Sequence, residues 1–173
     1  MKILTLVFAV VALVGLSACS KKKEAAHDHG HGSHHGHQHV PPHGGTPVIL
    51  GNEDFHLELV RDPAAGSLTA YVLDAHMAGF IRLPVPAIEL AVQVGGRAEK
   101  LTLAALPNQL SGETVGDTSA FVAQAEWLKT TGEFSAVVPS LTIRGRTFTN
   151  VAFDFPKGNE APRDDHAGHD HKH

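Results

Sequence analysis

The sequence predicts an all-β protein, a single immunoglobulin-like antiparallel β-sandwich between two disordered histidine-rich tails. From about residue 46 to residue 156, apolar and polar residues alternate in short segments separated by Gly, Pro or Asn. No long helical pattern interrupts this region. Of the 14 histidines in the chain, only His56 and His76 lie within it. These observations together indicate one β domain with polar extensions on both sides.

The N-terminus has the pattern of a lipoprotein export signal. Lys2 gives a short positive region, residues 3–16 are almost entirely apolar, and the run ends in Leu-Ser-Ala-Cys at residues 16–19. That ending resembles the bacterial lipobox, whose cysteine is lipidated and becomes the mature N-terminus. The apolar run is shorter than the roughly 20 residues of a membrane span. We therefore expect a signal peptide over residues 1–18 and a lipid on Cys19 that anchors the protein to a membrane.

The segments that flank the alternating region predict disorder. Residues 19–45 consist mainly of Lys, His, Gly and Ala, and residues 157–173 repeat this composition with more Asp. Neither segment can bury enough apolar surface to offset the entropy of ordering it. We expect a tether over residues 19–45, a folded domain over 46–156 and a tail over 157–173. Ser20 after the cysteine resembles outer-membrane sorting in two-membrane bacteria, which would place the domain in the periplasm.

Three pairs of alternating segments predict β-hairpins, each joined by a turn that contains glycine. The pairs are residues 55–62 with 67–74, 88–94 with 100–105, and 134–143 with 151–155. The one predicted helix is a turn or two around residues 126–130, where Trp127 and Leu128 are expected to cover one end of the core. Seven or eight strands at intervals of roughly ten residues favour a sandwich over a barrel or a βαβ fold.

The histidines of the two tails predict binding of a divalent transition metal. A neutral imidazole donates a lone pair to Zn²⁺, Ni²⁺ or Cu²⁺, and closely spaced imidazoles can supply three or four ligands. The candidate ligands are His27, His29, His31, His34, His35, His37, His39 and His43 before the domain, and His166, His169, His171 and His173 after it. Asp165 and Asp170 add oxygen donors. The sequence leaves open whether the two tails close on one ion or bind separate ions.

Histidines at and inside the domain are further candidates. His43, followed by two glycines that let the chain turn into the sheet, is a candidate fixed ligand at the domain edge. His56 and Glu58 lie on the same face of one strand, where an exposed pair is favoured over a shared cation. His76 is a weaker candidate because the chain has only two methionines, which argues against a Cu(I) site built on methionine.

Composition and motifs argue against other classes of protein. The chain has 14 Lys and Arg against 18 Asp and Glu, so no basic surface favours nucleic acid. The motifs of zinc peptidases, serine hydrolases and P-loop proteins are absent, and lipidation would consume the only cysteine. Scattered carboxylates such as Glu58, Asp74, Glu89 and Asp154 could meet only after folding. We expect a monomer that is not an enzyme.

The first part of the domain carries a family resemblance. His43-Gly44-Gly45, residues 48–51, residues 55–60 and residues 68–74 together resemble small uncharacterised bacterial envelope lipoproteins. The same stretch is similar to the HGG-containing segment near the N-terminus of heavy-metal efflux periplasmic adaptor proteins. The resemblance implies an exported β domain linked to metal handling, with His43 and His56 as the matching positions. The chain lacks the long helical hairpin and barrel-like domains of those adaptors.

Two functions follow as expectations. The first is a lipid-anchored extracytoplasmic protein that binds Zn²⁺, or secondarily Ni²⁺ or Cu²⁺, and buffers the ion or passes it to a transporter or efflux component. The second is a structural or partner-binding envelope module whose histidine-rich tails are only spacers.

Overall fold

The computed structural model describes residues 40–160. They belong to one compact unit. The predicted signal peptide, Cys19, the histidines from His27 to His39 and those from His166 to His173 lie outside the described residues.

The described residues form one antiparallel β-sheet of eight strands. The strands are β1 (Thr46–Leu50), β2 (Phe55–Asp62), β3 (Ser67–Asp74), β4 (Ala87–Val94), β5 (Arg97–Ala105), β6 (Ala120–Gln124), β7 (Phe134–Ile143) and β8 (Arg146–Phe155). Their order in the sheet is β1-β2-β3-β6-β5-β4-β7-β8. The predicted all-β antiparallel class is confirmed. The eight strands form one continuous sheet that nearly closes on itself, since β1 also contacts β8.

The predicted hairpins and helix are present. β2 pairs with β3, β4 with β5, and β7 with β8, all antiparallel. The helix α1 (Trp127–Thr130) buries Leu128 completely, while Trp127 packs against the edge of the core. No helix within residues 40–160 has the length and apolar character needed to cross a membrane.

One apolar core fills the inside of the sheet. Alternation along each strand directs its apolar residues inward, as with Leu57 and Leu59 of β2 and Leu90 and Val92 of β4. These side chains belong to a single cluster that spans all eight strands. Burying each of these side chains contributes about 1.5–3 kcal/mol before the entropy of ordering is subtracted. The core therefore holds the opposite sides of the nearly closed sheet together.

The gap between β8 and β1 is filled by the residues that follow β8. Asp154 and Gly158 exchange backbone hydrogen bonds of 3.0 and 2.6 Å. The Asn159 side chain then accepts from the Ile49 N–H at 2.7 Å and donates to the Ile49 carbonyl at 3.0 Å. Pro47, the other edge residue nearby, has no N–H to satisfy. The folded part of the chain thus extends a few residues beyond the predicted limits of 46–156, here and at residues 43–45.

Candidate functional site

A single carboxylate fixes the segment that precedes β1. Glu58, in β2, has a fully buried side chain. It accepts hydrogen bonds from the His43 N–H at 2.7 Å, the Gly45 N–H at 2.9 Å and the His43 Nδ1 at 2.8 Å. A buried carboxylate is stable only when such donors replace water. Glu58 therefore holds residues 43–45 against the outer face of the sheet.

Both glycines after His43 are required by this arrangement. Gly44 has a φ of +67°, a left-handed conformation that glycine adopts without strain, and its N–H closes a turn onto the Pro41 carbonyl at 3.1 Å. Gly45 lies so close to β2 that a Cβ atom there would meet the Leu59 carbonyl oxygen at 2.6 Å. The backbone conformation of the His-Gly-Gly motif thus lets the His43 imidazole and two backbone N–H groups all donate to the Glu58 carboxylate.

The His43 ring rests on aromatic side chains. It stacks on Tyr71 with 3.8 Å between ring centroids and 13° between planes, and Phe80 lies 5.8 Å away at a tilt. Tyr71 is directly opposite Glu58 across the β2–β3 pair. Burial, and then the charge of Glu58, raise the pKa of the Tyr71 phenol above its ordinary value. The ring of His43 is therefore held on its face as well as at its edge.

The hydrogen bond to Glu58 determines which nitrogen of His43 is available to a ligand. When the Glu58 carboxylate is ionised it can only accept, so Nδ1 then carries the proton and the lone pair of a neutral ring is on Nε2. The His43 side chain is 36 % exposed. In the described residues, Nε2 makes no hydrogen bond. A carboxylate bonded to one ring nitrogen, with the other free, is the arrangement that orients metal-binding histidines.

His43 lies at the edge of a cavity of about 360 Å³ on the outer surface of the domain. Its lining includes the aromatic residues Tyr71 and Phe80 and the charged residues Arg82 and Glu113. Arg82 donates to Asp117 at 3.0 Å, and its Nε is 3.7 Å from Glu113. The charged groups at the cavity are therefore paired with one another.

Glu113 organises the loop of residues 106–119, between β5 and β6. It accepts hydrogen bonds from the Asn108 N–H, the Thr118 hydroxyl, and both the N–H and hydroxyl of Ser119. Burial alone would raise the pKa of Glu113. The hydrogen bonds from Asn108, Ser119 and Thr118 outweigh it and lower that pKa below the usual value. The carboxylate is a structural anion with its acceptor sites already occupied.

The expectation that His56 and Glu58 form an exposed pair is wrong. His56 is only 1 % exposed and Glu58 is fully buried, because the outer face of β2 is covered by the segment before β1 and by the loop after β3. The His56 Nδ1 lies 3.2 Å from the Asp74 carbonyl oxygen. Glu58 bonds to His43, 15 positions earlier in the sequence, instead of to its neighbour on the strand.

The other sequence candidates are separated in the structure. His76 is exposed in the turn after β3, where its N–H donates to the Asp74 carboxylate at 3.1 Å. Burial would raise the pKa of Asp74, but N–H groups of Gly79, Ala78 and His76 lower it by a larger amount. Glu89 pairs with Lys100, and Asp154 accepts from Ser135. Within residues 40–160, no three His, Cys, Asp or Glu side chains form a metal-binding group.

Sequence reasoning missed the surroundings of His43. Tyr71, Phe80, Arg82 and Glu113 come from three separate parts of the chain, and no spacing relates them. The signal that was available is the HGG motif itself, since two glycines directly after a candidate ligand indicate a backbone conformation or close contact that other residues cannot adopt. The site is best described as an imidazole fixed at the edge of an antiparallel β domain, just before its first strand. Searches against known protein families, curated proteins and solved structures found no match.

Proposed function

We propose that this protein is a lipid-anchored extracytoplasmic protein that binds a divalent transition metal, with Zn²⁺ first and Ni²⁺ or Cu²⁺ second. Its histidine-rich ends capture the ion, and the protein buffers it or delivers it to a transporter or efflux component. The observation that supports this most is the clamped His43, whose Nδ1 bonds to Glu58 while Nε2 stays available.

Zinc chemistry fits this donor set. Zn²⁺ is usually bound by four ligands in a tetrahedron, and imidazole nitrogen is one of its preferred donors. His43 supplies one donor in a fixed orientation, and the remaining donors come from the histidines of the tails. The carboxylate of Glu58 would make the ring a stronger ligand by holding its orientation and tautomer.

Zinc titration of the purified full chain against a competing chelator tests the proposal. We expect at least one ion to bind with micromolar or tighter affinity at neutral pH. His43→Gln should weaken the tightest site at least tenfold, and Glu58→Gln by about 10–100-fold, as for other residues that orient a metal ligand. His76→Gln is the matched control, because it removes an exposed imidazole of the same domain.

Two results would contradict the proposal. One is a full chain that binds none of Zn²⁺, Ni²⁺ and Cu²⁺ at micromolar concentrations. The other is a His43→Gln variant that titrates like His76→Gln. Circular dichroism of each variant should confirm that the β domain is intact.

Capture should also depend on pH. Only neutral imidazoles bind metal, and a histidine has an ordinary pKa of about 6.5. Bound zinc should therefore be released as the pH falls from about 7 to 5, and pH-dependent dialysis followed by elemental analysis measures this release.

The alternative, a partner-binding module, also has a structural observation in its favour. Apolar side chains near the cavity are exposed, with Leu110 fully exposed, Val115 at 66 % and Phe80 at 50 %. Exposed apolar groups of this kind are typical of interaction surfaces. If metal binding is absent, crosslinking of a Leu110→Ser, Val115→Ser double variant and the unaltered protein in envelope preparations tests this function.

A further inference from the structure

We infer that one zinc ion joins two copies of this chain, with the His43 imidazole of each copy as a ligand. The apolar surface around His43 is then the contact between the copies, and a second copy of the chain is its occupant. This inference rests on the proposed function, because it assigns a partner to the same histidine.

The domain fixes one zinc ligand and leaves the ion incompletely bound. The His43 Nδ1 lies 2.8 Å from the Glu58 carboxylate, which leaves Nε2 as the atom that binds a metal. Zn²⁺ usually takes four ligands. Within residues 40–160, no three His, Cys, Asp or Glu side chains are grouped to bind one ion. Another copy of the domain offers a second imidazole that is oriented in the same way.

The exposed apolar side chains of the domain gather around His43. Every large hydrophobic residue that is exposed within residues 40–160 either lines the cavity beside His43 or lies within three positions of a residue that does. These residues, which we call the apolar rim, are Val40, Phe80, Leu106, Leu110 and Val115. Arg82 ties the loop of residues 106–119 to the cavity, because it donates to the Ser111 carbonyl at 2.5 Å and to Asp117 at 3.0 Å. Exposed apolar groups that gather at one place are typical of interaction surfaces.

The charges at this surface favour a divalent cation between two copies. Carboxylates outnumber guanidinium groups there, with Glu58, Glu113 and Asp117 against Arg82. Two such surfaces repel each other when they meet without an ion, and a dication placed between them offsets this repulsion. Each carboxylate also has a hydrogen-bond donor in its own copy, so contact with a second copy leaves none of them without a partner.

The area of the apolar rim explains why zinc is required. Side chains of this size bury on the order of 100 Å² each when fully covered, so the exposed parts of the five amount to roughly 300 Å² in each copy. Two copies would together bury roughly 600 Å² of it, whereas a stable protein interface buries about 1,200–2,000 Å². The apolar contact is therefore too small to hold a dimer by itself, and bonds to a shared ion supply the remainder.

Twofold symmetry makes one ligand per copy sufficient. In a twofold interface the same patch faces itself, so an axis through the ion places each His43 opposite its counterpart. Zinc–nitrogen bonds of about 2.0–2.1 Å bring the two Nε2 atoms within about 4 Å of each other. The apolar rims that surround the two rings then come into contact. The His43 side chain is 36 % exposed, which leaves its ring accessible to this approach.

Sedimentation velocity of the purified full chain, with and without zinc, tests the inference. We expect a monomer in the presence of a chelator and a dimer when zinc saturates the tightest site. His43→Gln should abolish the zinc-dependent dimer. His76→Gln, which removes an exposed imidazole of the same domain, should keep it.

A second variant tests the contact surface without touching the ligand. Leu110→Ser combined with Val115→Ser removes two side chains of the apolar rim, and it should weaken zinc-dependent dimerisation by roughly tenfold. The matched control is Ala98→Ser combined with Ala104→Ser, at two exposed positions of β5, and it should dimerise like the unaltered protein. Circular dichroism should show an intact β domain in both double variants. Equal dimerisation of the two would overturn the assignment of the contact surface.

The remaining outcomes separate this inference from the proposed function. A zinc-dependent dimer that persists in His43→Gln would mean that other histidines link the copies, and it would overturn the inference. A full chain that binds zinc and remains a monomer at saturation contradicts the inference alone. A full chain without zinc affinity contradicts the proposed function and the inference together.

Discussion

At the scale of single residues, the site depends on groups whose roles are visible only through their neighbours. Glu58 has the sequence context of an exposed strand residue, yet it is buried and receives three hydrogen bonds from residues 43–45. Gly45 has an ordinary φ, and only the closeness of β2 excludes a side chain there. Contact with another segment therefore defines both residues.

Gly45→Ala should destabilise the domain by about 1–3 kcal/mol, the usual effect of forcing an atom into a packed contact. Its Cβ would lie 2.6 Å from the Leu59 carbonyl oxygen. Urea denaturation measures the change in the free energy of unfolding. The control is Gly132→Ala, whose Cβ would meet only the Arg61 guanidinium at 3.6 Å. Equal stability of the two variants would show that residues 43–45 do not pack as described.

At the scale of elements, side-chain carboxylates and amides supply hydrogen bonds to backbone groups that lie outside regular strand pairing. Glu113 supplies acceptors to a loop of fourteen residues, 106–119, in which the 3-10 turn Gln109–Ser111 is the one helical element. Asn159 supplies one donor and one acceptor to the edge of β1. In both places a side chain satisfies backbone groups that no strand partner reaches.

Glu113 should make the stability of the domain depend on acid pH. Its pKa is lower in the folded protein than the value of about 4.3 in an unfolded chain. Its contribution is therefore complete above the unfolded pKa and is lost as the pH falls through the folded pKa. Urea denaturation between pH 3 and pH 6 should show a smaller loss of stability for Glu113→Gln than for the unaltered protein.

A slope that is unchanged by Glu113→Gln would contradict this role. Glu133→Gln, a change at an exposed position beside β7, is the control and should keep the original slope. Some acid dependence should persist in every variant, because the pKa of Asp74 is also lowered by backbone hydrogen bonds.

Asn159→Ala should reduce the free energy of unfolding by about 1–2 kcal/mol, since it leaves the N–H and carbonyl of Ile49 without their partner. Asn52→Ala, in the exposed turn after β1, should have an effect below about 0.5 kcal/mol. Chemical denaturation of both variants measures the difference. An Asn159 variant as stable as the Asn52 variant would mean that residues 158–160 do not close the gap between β8 and β1.

At the scale of the whole molecule, the clamp connects the proposed metal site to the stability of the β domain. Metal that binds only to chain ends outside the fold would leave the unfolding of the domain unchanged. Metal that binds to His43 favours the folded state, because Glu58 orients that ring only when the sheet is formed.

Zinc should therefore raise the melting temperature of the full chain. At a free concentration of 100 times Kd, a ligand specific to the folded state adds about 2.7 kcal/mol, which corresponds to a shift of several degrees for a domain of this size. Scanning calorimetry with and without zinc measures the shift. His43→Gln should remove most of it, whereas His76→Gln should retain it; an equal shift in both variants would exclude His43 as the ligand.

Patterns of local sequence were enough to predict the β class, three hairpins and the short helix. Alternation with period two and turn residues are local properties, and the strands of each hairpin pair with their neighbours in sequence. The order of the strands in the sheet could not be predicted from local patterns, because β6 lies between β3 and β5. Its five residues, Ala120–Gln124, carry too short an alternation to identify a partner.

The environment of His43 likewise combines features encoded locally in the sequence with features that arise only from long-range packing. The chain itself encodes the imidazole, the two glycines and the apolar alternation around Glu58. The burial of that carboxylate, its pairing with His43, the stacking on Tyr71 and the cavity bounded by Arg82 and Glu113 arise from segments far apart in the chain. Periodicity reports which way a side chain points from its own strand. What covers that side chain depends on long-range packing, and this is why a polar face expected to meet water instead binds residues 43–45.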